Sequence, residues 1–259
     1  MGKKEIRMNR IVEITNARGY IPIKEMAKLL QVSEMTVRRD ISVIENSGFI
    51  RNVNGILMSG HGNITEKMEA EYDILEEFEV RNDAKTAIGR YAATLIEDGD
   101  FVIFDTGTTT EQILPFIRQD ISFGALCFNR NILEGLCQYP KIDVALAGGY
   151  YNPRTQMFCG EYGVSFIKSI RANKVFVSAA GIHENLGISC ANNYEVATKK
   201  AILQSAKQHI LVADSSKFGV VRSSYFCNLE DIDTIITDNS LSEEWCSTVS
   251  EKKIYLKLV

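Results

Sequence analysis

Val32-Ser33-Glu34-Met35-Thr36-Val37-Arg38-Arg39-Asp40 opens a helix and carries paired arginines. Ser33 stands where a helix cap is needed and can accept from the backbone N–H of Met35 or Thr36. Glu34 lies in the first turn, where the helix dipole favours an acid. Val37, Ile41 and Ile44 recur at helical spacing and predict a buried stripe, while Thr36, Arg38, Arg39 and Ser42 face the other way. Just upstream, Ile23-Lys24-Glu25-Met26-Ala27-Lys28-Leu29-Leu30 is a second helix pattern, and Gln31-Val32 leaves room only for a tight turn. Two helices joined in this way describe a helix-turn-helix, whose second helix enters the major groove of DNA. Downstream, Gly48 predicts a stop, and the run from Phe49 to Leu57 reads as a β-hairpin turning at Asn54-Gly55. A helix-turn-helix followed by a hairpin is a winged module. Its expected DNA contacts are Ser33, Thr36, Arg38, Arg39 and Arg51, the arginine forks matching phosphates and guanine edges. The competing reading is an amphipathic helix pair with solvated arginines. Capping, spacing, wing and charge agree against it.

The charge is unevenly distributed. The 259 residues sum to −4, but residues 1–58 carry +4 and the rest −8. A positive end on a negative body suits a polyanion held by one domain only. No long apolar run and no leader-like segment occurs, so neither membrane binding nor export is expected, and the cytoplasm is the expected compartment. The six cysteines (Cys127, Cys137, Cys159, Cys190, Cys227 and Cys246) show no Cys-x-x-Cys spacing and read as free buried thiols. His61, His183 and His209 have no metal-ligand spacing, so no metal is expected.

The length predicts two domains. The run Met58-Ser59-Gly60-His61-Gly62-Asn63 closes the first, and residues 66–79 then carry seven acids and one lysine. Met68, Tyr72, Leu75 and Phe78 recur at three- and four-residue steps, which favours a connecting helix over a mobile linker. The expected division is 1–58, a connecting segment 59–83, and 84–259. A helix is expected from about 84 to Asp98-Gly99. From residue 100, β-rich runs end near Phe104, Phe128, Leu146, Val177, Val212, Ile236 and Leu258, with helical patterns at 110–118, 130–137, 161–171 and 193–207. This alternation predicts an α/β domain with a mostly parallel sheet covered on both faces. Ligands in such sheets bind beyond the carboxyl ends of strands.

Those strand ends are polar. Asp105-Thr106-Gly107-Thr108-Thr109-Thr110 follows a strand and opens a helix, offering N–H groups and hydroxyls to a phosphate. It lacks the Gly-Lys-Ser/Thr ending of a nucleotide-binding P-loop. Taken alone it could equally be an over-supplied helix cap. Asn129 contributes an amide after a second strand, Gly148-Gly149 a glycine pair after a third, and Ser178 to Gly181 small residues after a fourth. Asp214-Ser215-Ser216-Lys217 adds an acid and a cation. Glu195 and Lys199 lie one helical turn apart and could face one ligand, or form an ordinary exposed pair. Lys217 could be a surface lysine beside a turn.

In these motifs the chain resembles the DeoR family of bacterial transcriptional repressors over nearly its whole length. The resemblance rests on Ser33-x-x-Thr36-Val37-Arg38-Arg39-Asp40, Asp105-Thr106-Gly107-Thr108-Thr109, Gly148-Gly149, Ala180-Gly181-Ile182, Glu195-x-x-x-Lys199 and Asp214-Ser215-Ser216-Lys217-Phe218-Gly219, in that order. It departs at the wing, where many members carry Gly-Gly. The resemblance implies a larger domain similar to ribose-5-phosphate isomerase that binds a phosphorylated sugar and controls DNA binding. Deoxyribose 5-phosphate is the first effector expected; no cofactor is. One winged module reads a short site, so a homo-oligomer, a dimer or higher, is expected on double-stranded operator DNA. The expected effector residues are Asp105, Thr106, Gly107, Thr108, Thr109, Asn129, Gly148, Gly149, Gly181, Glu195, Lys199, Asp214 and Lys217. Two other classes stay open: a sugar-phosphate isomerase with a DNA-binding tail, and a constitutive DNA binder without an effector.

Overall fold

The computed structural model describes residues 3–18, 20–45, 50–53, 55–59 and 81–259. The chain divides into two compact units, Met1–Glu71 and Tyr72–Val259. Gly48, Asn54, the segment 60–63 and the acidic stretch 66–79 lie outside the described residues.

The first unit contains α1 (Lys3–Arg18), β1 (Tyr20–Pro22), α2 (Ile23–Leu30), α3 (Glu34–Ile44), β2 (Ile50–Val53) and β3 (Ile56–Ser59). Between α2 and α3, Gln31 adopts a left-handed conformation, and the Val32 N–H returns to the Ala27 carbonyl at 3.0 Å. Ser33 caps α3 by accepting from the Thr36 N–H at 3.2 Å. Val37, Ile41 and Ile44 are buried against Ile11, Ile21, Met26, Ile50 and Leu57, forming the core of this unit. β2 and β3 pair antiparallel with Val53 opposite Ile56, so two residues connect them. Gly55 has φ +86°, a conformation that favours glycine, and its N–H is bonded to the Asn52 side chain at 3.0 Å. β1 adds a third strand on the far side of β3. Three residues ending in proline are too short a run to show strand periodicity in the sequence.

Arg7 on α1 grips Asp40 on α3 with two bonds, Nε to Oδ2 at 2.5 Å and Nη2 to Oδ1 at 3.2 Å. Asp40 is buried, so the third charged residue of the Arg38-Arg39-Asp40 run fastens the helix instead of facing solvent. The carboxylate raises the Arg7 pKa, chiefly through this hydrogen bond.

The second unit begins with α4 (Asn82–Ala93), β4 (Phe101–Phe104) and a short α5 (Thr108–Glu111). Next come β5 (Phe123–Cys127), α6 (Arg130–Leu136), β6 (Ile142–Leu146), the hairpin β7 (Tyr150–Asn152) and β8 (Met157–Cys159), and α7 (Glu161–Ser169). β9 (Ala172–Val177), β10 (Gly181–His183), β11 (Gly187–Cys190), α8 (Val196–Ser205) and β12 (Ala206–Val212) follow. β13 (Ser224–Cys227), β14 (Thr234–Thr237), α9 (Glu243–Glu251) and β15 (Tyr255–Leu258) complete it. Seven strands form one parallel sheet in the order β15-β14-β12-β9-β4-β5-β6. Their ends fall within about one residue of the seven expected. Val102, Phe104, Ala125, Phe176, Ile210 and Val212 alternate onto the face covered by α4 and α6. Ile103, Leu126, Val175, Val177 and Leu211 are buried on the opposite face, where α8 packs on β9 and β12. A sheet covered on both sides has near-continuous apolar strands, as here.

Three expectations are corrected. The helix expected at 110–118 is only α5 plus a 3-10 turn at Leu114–Phe116, because Pro115 lacks the N–H that a longer helix needs. The helix starting near 84 ends at Ala93, short of Asp98-Gly99. Two sheet elements were not expected: the β7–β8 hairpin and a small antiparallel sheet β10-β11-β13. All six cysteines are free, but Cys137 is exposed and Cys246 half-buried. Among the described residues no helix is long and apolar enough to cross a membrane, and no cluster of His, Cys, Asp or Glu could hold a metal ion.

Arg7→Ala should lower the stability of the first unit by about 1–3 kcal/mol, since it strands a buried carboxylate. Hydrogen exchange of α1–α3 amides in the full chain measures this. Adding Asp40→Ala should cost less than the sum of the single changes.

Candidate functional site

From β4 the chain steps to β5 and β6 in one direction along the sheet, and from β9 it steps to β12, β14 and β15 in the other. The order therefore reverses between β4 and β9, and the carboxyl ends of these two strands are where sheets of this kind form a ligand-binding crevice. Asp105 follows β4 and Ser178 follows β9.

Asp105 is 0 % exposed. Its Oδ2 accepts from the Ser178 N–H at 2.9 Å, the Ser178 hydroxyl at 3.2 Å and the Lys199 ammonium. Lys199, on α8 and 1 % exposed, also donates to the Ser178 carbonyl at 3.0 Å and lies over the Phe226 ring at 5.1 Å. Burial disfavours the Lys199 charge, but Asp105 and Glu195 outweigh it and hold the amine pKa above its ordinary value. Glu195 is also buried. Desolvation pushes its carboxyl up against the pull of Lys199 and of Asn192, whose amide donates to it at 2.7 Å. The exposed-pair reading of Glu195 and Lys199 is thus corrected: both side chains point inward, and Lys199 is bonded to Asp105.

Asn129 closes the other side. Its amide donates to the Thr106 hydroxyl at 2.6 Å and to the Thr155 carbonyl at 3.2 Å. Thr155 belongs to the β7–β8 turn, which the sequence did not place here, and its hydroxyl meets Tyr194 Oη at 3.3 Å. Gly107 has φ +129°, and a Cβ there would stand 2.9 Å from the Ser178 hydroxyl, so two constraints require glycine. Thr106, Thr108 and Thr109 are buried around it. Asp105 Oδ1 and Asn129 Oδ1 have no hydrogen-bond partner.

The remaining expected residues have other neighbours. Gly149 lets the chain approach the Cys159 carbonyl, where a Cβ would lie 2.2 Å away, and the Gly148 carbonyl meets Gly163 of α7. Gly181 sits in β10 against the Val220 carbonyl. Gly149 and Gly181 therefore have packing reasons, whereas a side chain at Gly148 would meet nothing within 4 Å. Asp214 caps the turn Ser215–Lys217 by accepting from the Ser216 N–H at 3.0 Å. Arg81, absent from the expected set, donates to Ser215 Oγ at 2.7 Å and reaches Asp214 at 3.5 Å. Asp238 accepts from the Ser215 N–H at 2.6 Å, and its hydrogen bonds to Ser215 and Ser240 hold its pKa down against the cost of burial. Lys217 is half-buried in this turn. Two strand spacings separate β12 from β4, so the Lys217 turn lies roughly 10 Å from the Asp105 turn. Lys85, on α4 packed against α5, is a second buried lysine, absent from the expected set because it has no local motif. The thiols of Cys127, Cys159, Cys190 and Cys227 are pushed up to about 12 by burial, which makes them poor nucleophiles.

In the first unit, Arg38 and Arg39 are exposed on α3. The Arg38 guanidinium lies 3.9 Å from where a Gly55 side chain would begin, at the wing turn. Ser33 and Thr36 bond to each other through their hydroxyls at 2.9 Å. Arg51 lies in β2 opposite Met58, and its side chain is outside the described residues.

A winged helix-turn-helix in one unit, and in the other an α/β sheet with buried polar groups at its switch point, define a transcription regulator with a separate sensor domain. Residues 7–60 match the DeoR-like helix-turn-helix domain, and residues 80–239 match the DeoR C terminal sensor domain. The chain belongs to the DeoR family and is a DNA-binding transcriptional repressor. It is 28 % identical over 254 residues to the deoxyribose operon repressor of Escherichia coli (strain K12), covering 98 % of each chain. It is 29 % identical over 259 residues to the regulator IolR of Bacillus subtilis (strain 168), covering 98 % of this chain and 99 % of that one. Among solved structures, ribose 5-phosphate isomerase A from Methanocaldococcus jannaschii aligns with a TM-score of 0.40 at 14 % identity, over 53 % of this chain and 54 % of that one. The full-length sorbitol operon regulator SorC from Klebsiella pneumoniae aligns at 0.37 and 13 %, over 84 % and 90 %. Both structural likenesses are loose.

Lys199→Met should destabilise the second unit by about 3–5 kcal/mol, because Asp105 is left as an uncompensated buried charge. Adding Asp105→Asn should recover part of that loss. Urea unfolding of the three variants measures it.

Proposed function

We propose that this repressor controls a sugar or nucleoside catabolism operon and responds to a phosphorylated sugar bound beyond β4, β5 and β9. One observation carries the reading. Two buried acceptors without partners, Asp105 Oδ1 and Asn129 Oδ1, flank a turn rich in N–H and hydroxyl donors. A buried acceptor left unpaired costs about 1–3 kcal/mol. Sugar hydroxyls are the donors that would satisfy both, while Thr106 to Thr109 hold the phosphate. Lys217 lies on the neighbouring turn, and Lys85 adds a cation behind α5. Glu195 and Lys199 act by holding Asp105, and Gly148, Gly149, Gly181 and Asp214 by shaping the walls. The name of the Escherichia coli relative makes deoxyribose 5-phosphate the first compound to try.

Residues 1–58 bind operator DNA through Arg38, Arg39 and Arg51, with Ser33 and Thr36 presenting the helix. Residues 84–259 bind the effector and oligomerise, and segment 59–83 carries the response. Arg81 supports that role, since it closes the segment and bonds the turn that bears Lys217. The protein works in the cytoplasm as a dimer or larger homo-oligomer.

Two experiments test this. At 100 times its dissociation constant, the effector should stabilise the second unit by about 2.7 kcal/mol. That raises its melting temperature by roughly 5–11 °C. Thr108→Val and Lys217→Ala should blunt the shift and abolish the effect of the compound on operator affinity. A sugar-phosphate panel that changes neither melting nor operator binding sinks the effector reading and favours a constitutive binder. Turnover of any of these compounds would revive the isomerase reading. Arg38→Ala and Arg39→Ala should each weaken operator binding with the fold intact. A lost base contact costs about 1–3 kcal/mol and relaxes specificity, whereas a lost phosphate contact lowers the salt slope by about one. Both variants binding as the parent does at every salt concentration would remove α3 from the interface.

A further inference from the structure

We propose that Met35 reads a thymine: its thioether side chain packs on the 5-methyl group of one thymine in each half-site. The inference rests on the DNA-binding role of α3 and names the base chemistry that this helix selects. Met35 is 70 % exposed, the most exposed of the large apolar side chains among the described residues of the first unit. It lies in the first turn of α3, and the start of a recognition helix is the part that approaches base edges.

Its place on the helix is specific. Met35, Arg38, Arg39 and Ser42 stand at i, i+3, i+4 and i+7, and all four are exposed. They form one stripe opposite the buried Val37, Ile41 and Ile44. Apart from the exposed Glu34 at the helix start, the uncharged or acidic polar side chains near Met35 are already engaged. Ser33 and Thr36 bond to each other and to the helix end, and Asp40 is held by Arg7. What the stripe presents at its N-terminal end is therefore an apolar group beside two guanidinium groups. In the major groove, guanidinium forks suit guanine, and the thymine methyl is the apolar feature available to a side chain without a donor. Left in water, a flexible apolar side chain gains nothing from this position.

The test uses the full chain and a duplex selected by it from a random-sequence pool, with each thymine of that duplex replaced in turn by uracil. Uracil differs from thymine only by the methyl group. One buried carbon is worth about 0.8 kcal/mol, which is about fourfold in affinity. The parent should lose about fourfold at one thymine per half-site. Met35→Ala should bind more weakly but show no further loss at that position, and Met35→Leu should restore part of the sensitivity. Its salt dependence should match the parent's, because no phosphate contact is removed. Met35 is exposed, so Met35→Ala should melt at the parent's temperature. A parent indifferent to uracil at every position, or a Met35→Ala variant with the parent's full uracil penalty, overturns the proposal. If the parent selects no sequence and shows no DNA binding, the DNA role of α3 itself has failed, and that result is distinct from failure at thymine alone.

Discussion

The buried pair of Asp105 and Lys199 is the interaction on which the crevice depends. It ties the end of β4 to α8, and through Ser178 it ties both to the end of β9. These are the two strands at which the sheet order reverses. A carboxylate and an ammonium taken out of water are each costly, and only close pairing with further hydrogen bonds offsets that cost. Here the Ser178 N–H, hydroxyl and carbonyl supply the further bonds. The consequence is geometric. Asp105 is held with one oxygen fully engaged and the other without a partner, and Gly107 must pass close to Ser178 to make the turn. These polar groups are held in place by the protein's own bonds, which on the proposed reading lowers the ordering cost of binding.

The first unit solves the same problem in reverse. There a single ion pair, Arg7 with Asp40, locks α1 to α3 and takes the only acid in the middle of the helix out of the exposed face. An acid left facing outward there would repel phosphates. With Asp40 buried, the stripe of Met35, Arg38, Arg39 and Ser42 is positive or neutral along its length. The +4 charge of residues 1–58 then acts at one surface and draws the polyanion to it.

Much of this was legible in the sequence. Helical and strand periodicities placed α2, α3 and all seven strands of the large sheet, because elements with one or two buried faces must repeat apolar residues at their own period. Ser33 as a cap was legible for the same local reason. What the sequence hid was non-local. The i,i+4 spacing of Glu195 and Lys199 fits an exposed pair as well as a buried pair of side chains. Only the β4–α8 approach, 94 residues apart in sequence, decides between them. Asp40 had no assigned role in the sequence, and only α1, packed against it through Arg7, gives it one. The glycines at 149 and 181 were expected to serve a ligand, yet carbonyls of neighbouring segments lie close to them. Thr155 and Arg81 gave no local clue, since each matters only through a partner far along the chain.

Arg81 bears on how binding in the crevice could reach residues 1–58. An effector shifts an equilibrium only by as much as its affinities for the two states differ, and coupling energies between sites are commonly about 1–3 kcal/mol. The coupling element must therefore be neither rigid beyond that range nor free. Arg81 fits this range. It is held by a hydrogen bond to Ser215 and a longer contact to Asp214, and its side chain remains 42 % exposed, so water competes for it. Individual bonds of this kind contribute about 0.5–1.5 kcal/mol net. Arg81 also has φ +53°, an uncommon conformation for a side-chain-bearing residue, and these contacts help to hold it there. On the proposed reading, an effector that draws Lys217 toward its phosphate would move the turn bearing Ser215, and with it the partner that keeps Arg81 in that conformation. The buried Asp105–Lys199 pair is too strongly anchored to serve as the switch. On the proposed reading, the weaker Arg81 contact just before α4 is the better placed element, since it is both near the Lys217 turn and nearer the first unit in sequence.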